Sequence, residues 1–498
     1  MRQFRIEEAT ISNIHAAYRT GKLTARELVH AYLQRIDAYD KKGPAINSIV
    51  NVNQRALQTA DELDQALADS GKLSGPLHGI PVLVKDCIET TDVKTTFGSI
   101  AFKEYTPECD ATVVSKLRDA GAIILAKTTL PDFATSWWAY SSVSGETRNP
   151  YALDRDPGGS SSGSGAAVAA NFGAVGLGED CSGSVRVPAS HCCLVGVRTT
   201  PGLVSRKGMS LAVSFQDTIG PMTRTVWDAA EVLDALVGYD SGDPLTAAYV
   251  IARAPKSYTE CLRFDGLRGA RLGLVTNALG PSDDNLTAAV NDVIAAAVDA
   301  IRGAGAEVAE VQIPDLAHHL EMTSLDEICS KGDLNAFLAE RPKAPVRTVQ
   351  EIYESKQYHP MLVDAFEMLA AEPSRPEDNP EYYQRLAARE VFTRTVVNLL
   401  GANRLDALIY PDVQVPAPTR EMVNTQRWTT LTFPTNTLIA SQAWMPAISV
   451  PAGFTENKLP VGLEFVTMPY DEPTMLRLAY AFEQATLHRR PPESTPEL

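Results

Sequence analysis

Apolar residues recur at helical spacing near the start of the chain. Residues 23–37 place leucine, valine, tyrosine and isoleucine side chains mostly three to five positions apart, and residues 53–67 continue the pattern. Such spacing lays the apolar side chains along one face of a helix, which can then pack against a core. We therefore predict that the N-terminal region, residues 1–70, is helical.

From Gly79 onward, short apolar runs alternate with helical stretches. Short runs predict strands, and longer stretches with helical spacing predict helices. The predicted strands are residues 80–84, 122–126, 174–178, 194–197, 270–275, 307–313, 405–410, 447–450 and 461–466. The predicted helices are residues 111–120, 165–172, 286–302 and 471–487. Alternation of this kind is typical of an α/β protein built around a sheet.

No stretch of the sequence has the composition of a linker between domains. Gly/Ser repeats, long charge runs and internal repeats are absent from it. The 498 residues are therefore predicted to form a single domain, 1–498. Its regions are a helical region 1–70, a core region 71–235, a less regular region 236–400 and a C-terminal region 401–492, whose strands and helix complete the same sheet.

Composition and charge exclude several classes of partner. The chain is 44% hydrophobic, enough for a large core, and its formal net charge is −16, with no basic tract to follow a phosphate backbone. The first residues lack the apolar segment of a secretory leader, and no run reaches the roughly 18 apolar residues of a spanning helix. The prediction is a cytoplasmic protein without nucleic-acid or membrane partners.

The seven cysteines have no metal-binding pattern. They stand at positions 87, 109, 181, 192, 193, 261 and 329. Their odd number and irregular spacing favour reduced thiols in a cytoplasm over a disulfide framework. The chain is therefore predicted to hold no metal ion.

Three segments carry the candidate chemistry. Lys85 ends the apolar run that starts at Gly79, Ser160 lies in a loop of glycines and serines at residues 157–165, and Ser184 follows it by 24 residues. A serine hydroxyl needs a base to become a nucleophile, and no histidine lies in a matching context. The ammonium group of an ordinary lysine has a pKa of about 10.4, so a lysine base requires burial in apolar surroundings. The run before Lys85 supplies them, although a lysine at a strand end can also be solvated.

The loop at residues 157–165 admits other interpretations. It lacks the Lys-Ser/Thr pair of a phosphate-binding loop and the third glycine of a dinucleotide-binding loop. Its pattern Gly159-Ser-Ser-Ser-Gly163 does satisfy the nucleophile elbow of esterases, with Ser161 as the nucleophile. That mechanism needs a later histidine, and the candidates are His191, His318, His319, His359 and His488. A purely structural turn is the remaining alternative.

The segment from Gly178 to Ser184 suits the stabilisation of an anion. It follows a predicted strand, and the successive backbone N–H groups of Cys181, Ser182, Gly183 and Ser184 can converge on one oxygen. Each donor of such an oxyanion hole typically contributes about 2.7–4 kcal/mol to the transition state. The alternatives are an ordinary Gly/Ser turn and a thiol nucleophile at Cys181.

Together and in this order, the motifs resemble the signature of one enzyme family. They are Gly79-Ile-Pro-Val-Leu-Val-Lys-Asp86, Pro157-Gly-Gly-Ser-Ser-Ser162, Gly178-Glu-Asp-Cys-Ser-Gly-Ser-Val-Arg-Val-Pro-Ala189, Gly220-Pro-Met-Thr-Arg224, Pro446-Ala-Ile-Ser-Val-Pro-Ala-Gly453 and Leu459-Pro-Val-Gly-Leu463. Across residues 20–235 and 400–492 the chain is similar to the amidase signature family of hydrolases. The spacing of Ser160 and Ser184 matches that of the family's two catalytic serines.

The resemblance implies roles for the three residues. Ser184 would be acylated, Lys85 would be the general base, and Ser160, at a cis peptide bond, would relay the proton between them. The implied fold is a mixed, twisted sheet of about eleven strands sandwiched between helices. The nucleophile loop departs from the family, which usually has Thr-Gly-Gly-Ser where this chain has Cys181-Ser-Gly-Ser184. If residue 182 requires a positive φ, a serine there adds strain of about 1 kcal/mol.

The same resemblance assigns supporting residues. Asp180 and Arg186, with Ser161, are expected to hold the nucleophile loop, and the alternative for Arg186 is contact with an anionic substrate. The region 236–400 is expected to shape the substrate site. Four aromatic residues are candidates for an apolar wall of that site, or alternatively for the core: Trp137, Trp138, Tyr140 and Trp444.

The implied activity is that of a stand-alone serine amidohydrolase. It would cleave a carboxylic amide outside peptide bonds, with aryl or hydrophobic amides favoured and esters or carbamates as further substrates, through an acyl-enzyme and without a cofactor. One alternative is the glutaminase-type subunit of a tRNA-dependent amidotransferase, although Val187 stands where that subunit is expected to have glutamine. The other is a non-catalytic binding protein on the same fold. Self-association as a homodimer is implied at the level of the family.

Overall fold

A computed structural model describes residues 4–252 and 254–498 of the chain. Within these ranges the strands are β1 Ile49–Val52, β2 Pro81–Lys85, β3 Ile123–Thr128, β4 Tyr140–Ser141, β5 Gly145–Glu146, β6 Val175–Asp180, β7 Val195–Arg198, β8 Thr218–Thr223, β9 Arg271–Val275, β10 Glu307–Val311, β11 Ala407–Pro411, β12 Ala447–Phe454 and β13 Pro460–Val466. The α-helices are α1 Ile11–Arg19, α2 Ala25–Tyr39, α3 Ala56–Ser70, α4 Thr112–Asp119, α5 Ser162–Ala169, α6 Arg186–His191, α7 Val226–Leu236, α8 Ala247–Ile251, α9 Asn285–Gly303, α10 Leu316–Met322, α11 Asp326–Ala339, α12 Val349–Ser355, α13 Val363–Ala371, α14 Tyr382–Asn403, α15 Arg420–Asn424, α16 Leu438–Gln442 and α17 Glu472–Thr486.

Eleven of the strands form one mixed sheet. Their spatial order is β1-β3-β2-β6-β8-β7-β12-β13-β11-β9-β10, and β4 and β5 form a separate two-stranded ribbon. Helices flank the sheet, among them α5 and α7 on its first strands and α9 and α17 on its later ones. The prediction of a single α/β domain around a mixed sheet of about eleven strands is confirmed.

The sheet has two halves that come from different segments of the chain. The six strands β1-β3-β2-β6-β8-β7 come from residues 49–223, and the five strands β12-β13-β11-β9-β10 come from residues 271–466. The halves join where β7 pairs antiparallel with β12, with Val197 opposite Ile448. Both of these side chains belong to the same hydrophobic core, so the core runs across the join.

Two strands of the sheet differ from the predictions. β1 lies within residues 1–70, which the spacing predicts to be helical; it is an edge strand of four residues, too short for its alternation to stand out. β8 contains Gly220 and Pro221, a pair that interrupts a strand pattern. Glycine is required there because a Cβ at Gly220 would lie 1.7 Å from the carbonyl oxygen of Val197 on β7.

The carboxyl ends of β2 and β6 lie side by side at one edge of the sheet. The two strands are parallel neighbours, with Val84 opposite Leu177, so Lys85 and Asp180 end their strands at the same edge. Helix α5 packs on both strands, which brings the loop before it to this edge. The three segments singled out in the sequence therefore meet in one place.

The structure also bears on membrane and metal partners. Within residues 4–252 and 254–498, no helix combines the length and the apolar character that crossing a bilayer requires. The same ranges contain no group of three or more histidine, cysteine, aspartate or glutamate side chains arranged to hold a metal ion. The seven cysteines are free thiols.

Candidate active site

Lys85 lies at the carboxyl end of β2 and is fully buried. Its Nζ donates hydrogen bonds to Ser160 Oγ and to Glu179 Oε2, each at 2.6 Å. Every residue of β2 is buried, so the strand carries the amine into the interior and ends there. The structure therefore brings two of the three predicted catalytic residues into direct contact.

Ser160 lies just before α5 and follows a cis peptide bond, Gly159–Ser160. Gly159 has no space for a side chain, because a Cβ there would lie 2.9 Å from the carbonyl oxygen of Trp137. Ser160 itself is buried, and its Oγ is 3.5 Å from Glu179 Oε2 as well as 2.6 Å from Lys85 Nζ. Its hydroxyl thus faces the Lys85 amine and the Glu179 carboxyl rather than solvent.

Ser184 differs from the serines of the first loop in its exposure. Ser160 and Ser161 have no exposed surface, whereas Ser184 retains 7%. The carbonyl oxygen of Ser184 accepts a hydrogen bond from the backbone N–H of Ser161 at 3.1 Å, which ties the two loops together. Of the three predicted catalytic residues, Ser184 therefore has some surface open to solvent, while Ser160 and Lys85 have none.

Ser161 has no histidine as a hydrogen-bond partner among the described residues. Its Oγ donates to the carbonyl oxygen of Glu179 at 3.2 Å. His191, a candidate base for an esterase elbow, is buried beside Gly158, where a Cβ would lie 3.0 Å from its Nδ1, and burial lowers its pKa to about 4. Ser161 therefore links the loop at residues 157–165 to the segment that holds Glu179 and Ser184.

The nucleophile loop, residues 181–184, is held by contacts from two distant segments of the chain. The positive φ falls on Gly183, at +135°, and not on Ser182. A Cβ on Gly183 would lie 1.9 Å from Thr437 Oγ1, which donates to the carbonyl oxygen of Ser182 at 2.9 Å. The strain that a positive φ would have placed on residue 182 is therefore absent, and the Ser182 hydroxyl donates to Asp326 Oδ2 at 2.6 Å.

The backbone N–H groups of this loop are available to a ligand. Within the described residues, those of Ser182, Gly183 and Ser184 have no protein acceptor. Unpaired backbone donors in a buried loop are costly unless water or a ligand oxygen accepts them. This arrangement suits the oxyanion hole predicted for Cys181, Ser182, Gly183 and Ser184.

Cys181 has the surroundings of an inert thiol. Its Sγ lies 3.4 Å from Asp326 Oδ1 as a weak donor. Burial, together with the carboxyls of Asp217 and Asp326, raises the pKa of the thiol well above its ordinary value. A thiol becomes a nucleophile as the thiolate, so these surroundings disfavour Cys181 in that role.

Asp180 and Arg186 belong to a buried ionic network that joins the two halves of the sheet. Arg186 Nη2 donates to Asp180 Oδ1 at 2.9 Å, and its Nη1 donates to Glu464 Oε1 on β13 at 2.6 Å. Arg198 also donates to Asp180 Oδ1, at 2.9 Å. Burial acts against ionisation of Asp180, but the two guanidinium groups outweigh it and hold the pKa of this carboxyl well below its usual range. The Arg186 side chain is wholly buried and its nitrogens are bound to the protein.

The four aromatic candidates do not form one wall. Trp137, Trp138 and Tyr140 belong to a buried cluster in which the Trp138 and Phe433 rings are 4.7 Å apart. Trp444 lies outside this cluster: its Nε1 donates to the carbonyl oxygen of Phe215 at 3.1 Å. The structure therefore separates Trp444 from the other three.

Three charged residues of the site are missing from the sequence interpretation. Glu179 contacts Lys85, Asp326 contacts Ser182, and the Arg389 guanidinium lies over the ring of Phe215 at 4.5 Å. Glu179 has a signal in the sequence, since it is an ionisable residue inside the third motif. Asp326 and Arg389 lie in the region 236–400, where no motif marks them.

Gly183→Ala is expected to destabilise the protein by about 2 kcal/mol, through positive-φ strain and the collision with Thr437, and to lower hydrolytic activity because the loop must move. The matched control is Gly303→Ala, since Gly303 ends α9 with a negative φ and open space around its Cβ position. That variant is expected to be neutral or slightly stabilising. Chemical unfolding and a substrate assay on both variants measure the difference, and equal behaviour would contradict the assigned loop geometry.

Comparisons with known proteins show what the chain as a whole is similar to. A family profile described as Amidase matches residues 27–476. A probable amidase of Arabidopsis thaliana is 33% identical, with 98% of this chain and 92% of the relative covered. One subunit of the glutamyl-tRNA(Gln) amidotransferase of Alkalilimnicola ehrlichii is 32% identical, with 98% and 99% covered. The native peptide amidase from Stenotrophomonas maltophilia superimposes with a TM-score of 0.86 at 35% identity, covering 98% of this chain and 99% of that structure.

Proposed function

The chain belongs to the amidase family, and from that premise we propose that it is a stand-alone serine amidohydrolase that cleaves a carboxylic amide through an acyl-enzyme. One observation carries the proposal: the 2.6 Å contact between Lys85 Nζ and Ser160 Oγ, in a loop that is hydrogen-bonded through Ser161 to the backbone of Ser184. A base, a relay hydroxyl and a reachable hydroxyl are the groups that such a reaction needs.

The proposed reaction runs in two halves. Ser184 Oγ attacks the carbonyl carbon while its proton passes to Ser160, whose own proton passes to the neutral amine of Lys85. The tetrahedral intermediate then expels the amine, which takes a proton back through Ser160, and an ester on Ser184 remains. Water attacks this ester with the same residues as base, releasing the acid and restoring Ser184.

The oxyanion of the tetrahedral intermediate would be held by the nucleophile loop. The free N–H groups of Ser182, Gly183 and Ser184 point to this role, with Cys181 at the start of the loop as the fourth proposed donor. Removing one donor from such a hole typically costs about 2.7–4 kcal/mol of transition-state stabilisation. Backbone donors held by a packed loop need no reorganisation when the charge forms, which favours the reaction.

The surroundings of the loop support an apolar substrate. Cys181 packs in a cluster with Val213, Leu325, Ile328 and Cys329, and Phe215 packs against that cluster. Its members come from the core region and from the region 236–400, which is the proposed substrate-shaping region. We favour amides with an apolar or aryl group, including amides of amino acids and short peptides, for which the similarity to the peptide amidase provides support.

A substrate panel tests this proposal. It contains benzamide, anilides, aryl carbamates, alkyl esters of aryl acids, amino-acid amides, dipeptide amides and glutamine, with release of ammonia or amine, or of alcohol from the esters, as the measurement. The expected result is the highest kcat/KM for amides with an apolar or aryl group, with esters and carbamates of the same groups also cleaved. A preference for small polar amides would contradict the proposed substrate class.

A second candidate function is the glutaminase subunit of a tRNA-dependent amidotransferase. It is supported by the 32% identity that this chain shares with such a subunit over nearly its full length. That function predicts glutamine as the best substrate, and turnover that rises when partner subunits of such a complex are added. Glutamine as one of the poorest substrates, with or without those subunits, would leave the stand-alone hydrolase as the function.

A further inference from the structure

Lys85 Nζ contacts a second side chain, Glu179, which has no part in the proposed reaction. Glu179 Oε2 lies 2.6 Å from Lys85 Nζ, the same distance as Ser160 Oγ, and both side chains of the pair are buried. Lys85 ends β2 and Glu179 is the next-to-last residue of the parallel neighbour β6, so the sheet itself brings the two side chains together. A carboxylate at this distance stabilises the ammonium form of a lysine, whereas a base must be neutral. The contact therefore needs a role in the chemistry.

A second carboxyl lies beside Glu179. Burial, the negative charge of Glu179 and a hydrogen bond with Glu179 raise the pKa of Asp217 well above its usual range. Asp217 Oδ2 accepts the backbone N–H groups of Ala212 and Val213 at 2.6 and 3.0 Å. Glu179 Oε1 and Asp217 Oδ1 are buried without a donor among the residues that the structure describes. A proton on Asp217 Oδ1, donated to Glu179 Oε1, satisfies both oxygens.

We propose that Glu179 accepts the proton that Lys85 must lose before it can act as the base, across the 2.6 Å contact between their side chains. Glu179 is thus a positioning residue that acts through Lys85. The inference rests on the proposed function, because it concerns how the Ser184 hydroxyl is activated.

The proton transfers balance within the cluster. In the resting pair Lys85 is an ammonium and Glu179 a carboxylate, and one proton moves from Nζ to Oε2 across the 2.6 Å contact. The freed lone pair on Nζ accepts the proton of the Ser160 hydroxyl. At the same time Ser160 Oγ accepts the proton of the Ser184 hydroxyl, and Ser184 Oγ forms a bond to the carbonyl carbon. When the C–N bond breaks, a proton returns through Ser160 to the leaving nitrogen. Lys85 then recovers its proton from Glu179.

Four other titratable groups lie around the pair. They are Cys87 after β2, Cys181 after β6, Asp217 before β8 and Asp326 on α11. Burial raises the pKa of Cys87 to about 12, and burial likewise raises that of Asp326. Lys127 on β3 lies 3.3 Å from Asp86, so these two buried charges compensate each other. Glu179 is the carboxylate in direct contact with Lys85.

The test is the pH dependence of the rate at which a fluorophosphonate labels Ser184 in the full-length protein. In the wild type, the rate is expected to stay level across the neutral range, because the single proton of the pair moves between Lys85 and Glu179, and to fall only in acid, where the pair takes a second proton. In Glu179→Gln, Lys85 must lose its proton to solvent, so the fall is expected to move upward by at least about two pH units, with labelling recovering at alkaline pH. Glu179→Asp is expected to keep the wild-type position at a reduced rate.

A shift of the labelling profile of Glu179→Gln to lower pH would overturn the inference. If Glu179 only stabilised the Lys85 ammonium, Glu179→Gln would move the fall to lower pH and speed labelling at neutral pH. An unmoved profile with a lower rate at every pH would make Glu179 merely structural. Cys87→Ala, which removes a buried neighbour outside the relay, is the matched control and is expected to leave the profile within about half a pH unit.

Two further outcomes are decisive. Should Glu179→Gln fail to fold by circular dichroism, the wild-type profile decides alone: a fall near or above about pH 8 would overturn the inference. A wild type that is not labelled at any pH would overturn the proposed function and this inference with it. A labelled wild type whose Glu179→Gln profile fails to move upward overturns the inference alone.

Discussion

Ser184→Ala is expected to lower kcat for amide hydrolysis by about 10⁶-fold, the scale seen when the nucleophile of a serine hydrolase is removed. The methyl group cannot form the acyl-enzyme, so only the oxyanion hole and substrate binding remain. KM for the best substrate is expected to stay within a few-fold, because the hydroxyl contributes little to ground-state binding. Steady-state kinetics on the wild type and the variant, with mass spectrometry of the fluorophosphonate-labelled peptide, measure both effects.

Two neighbouring variants serve as controls for this assignment. Cys181→Ala removes the alternative thiol, and Ser161→Ala removes the alternative hydroxyl together with one hydrogen bond, worth about 1 kcal/mol. Each is expected to keep activity within about tenfold of the wild type. Turnover that survives Ser184→Ala but is lost in either control would move the nucleophile to that residue.

Asp180→Asn is expected to lower the free energy of unfolding by about 3–5 kcal/mol. The substitution removes the charge that Arg186 and Arg198 share, and both guanidinium groups are fully buried, so one positive charge is left without compensation. Urea unfolding followed by tryptophan fluorescence measures the loss. Asp299→Asn is the control, because the Asp299–Arg302 pair at 3.3 Å is largely exposed and such pairs contribute about 1 kcal/mol or less.

The pH dependence of this loss has a definite sign. The pKa of Asp180 is lower in the folded protein than in the unfolded chain, so its contribution is fully present above the unfolded value near about pH 4. It is lost as the pH falls below that value toward the folded pKa. The difference between the wild type and Asp180→Asn is therefore expected to be constant from about pH 5 to 8 and to shrink in acid. A difference that grows in acid would contradict the depressed pKa.

The predictable portion of the fold is the one in which strands are apolar and bounded by turns. Strands such as β2 and β6 agree with the prediction to within two residues, because each begins in a short apolar run that is buried in the sheet. β1 is an edge strand of four residues, and β8 contains Gly220 and Pro221, so neither has the run of apolar or alternating residues that indicates a strand. Their place in the sheet depends on partners far along the chain.

The candidate site likewise has residues that the sequence predicts and residues that it does not. Lys85, Ser160 and Ser184 stand in motifs and can be chosen from the sequence, and the structure places Lys85 and Ser160 in contact. The Asp326–Ser182 hydrogen bond joins residues 144 positions apart, and no local pattern predicts it. Glu179 stands inside a motif, but its meaning depends on the register of β6 against β2, which is a property of the sheet. The separation of Trp444 from the other aromatic residues likewise depends on long-range packing.

The join between the two halves of the sheet has a consequence for the chain while it is being made. Arg186 and its partner Glu464 are 278 residues apart. At the usual speed of about 5–20 residues per second, a ribosome needs roughly 14–56 s to travel from one to the other. During that interval Arg186 has been synthesised and Glu464 has not, so the loop that follows β6 lacks an anchor and cannot hold its final shape. A nascent chain of this protein therefore completes the anchoring of this loop only after Glu464 has been translated.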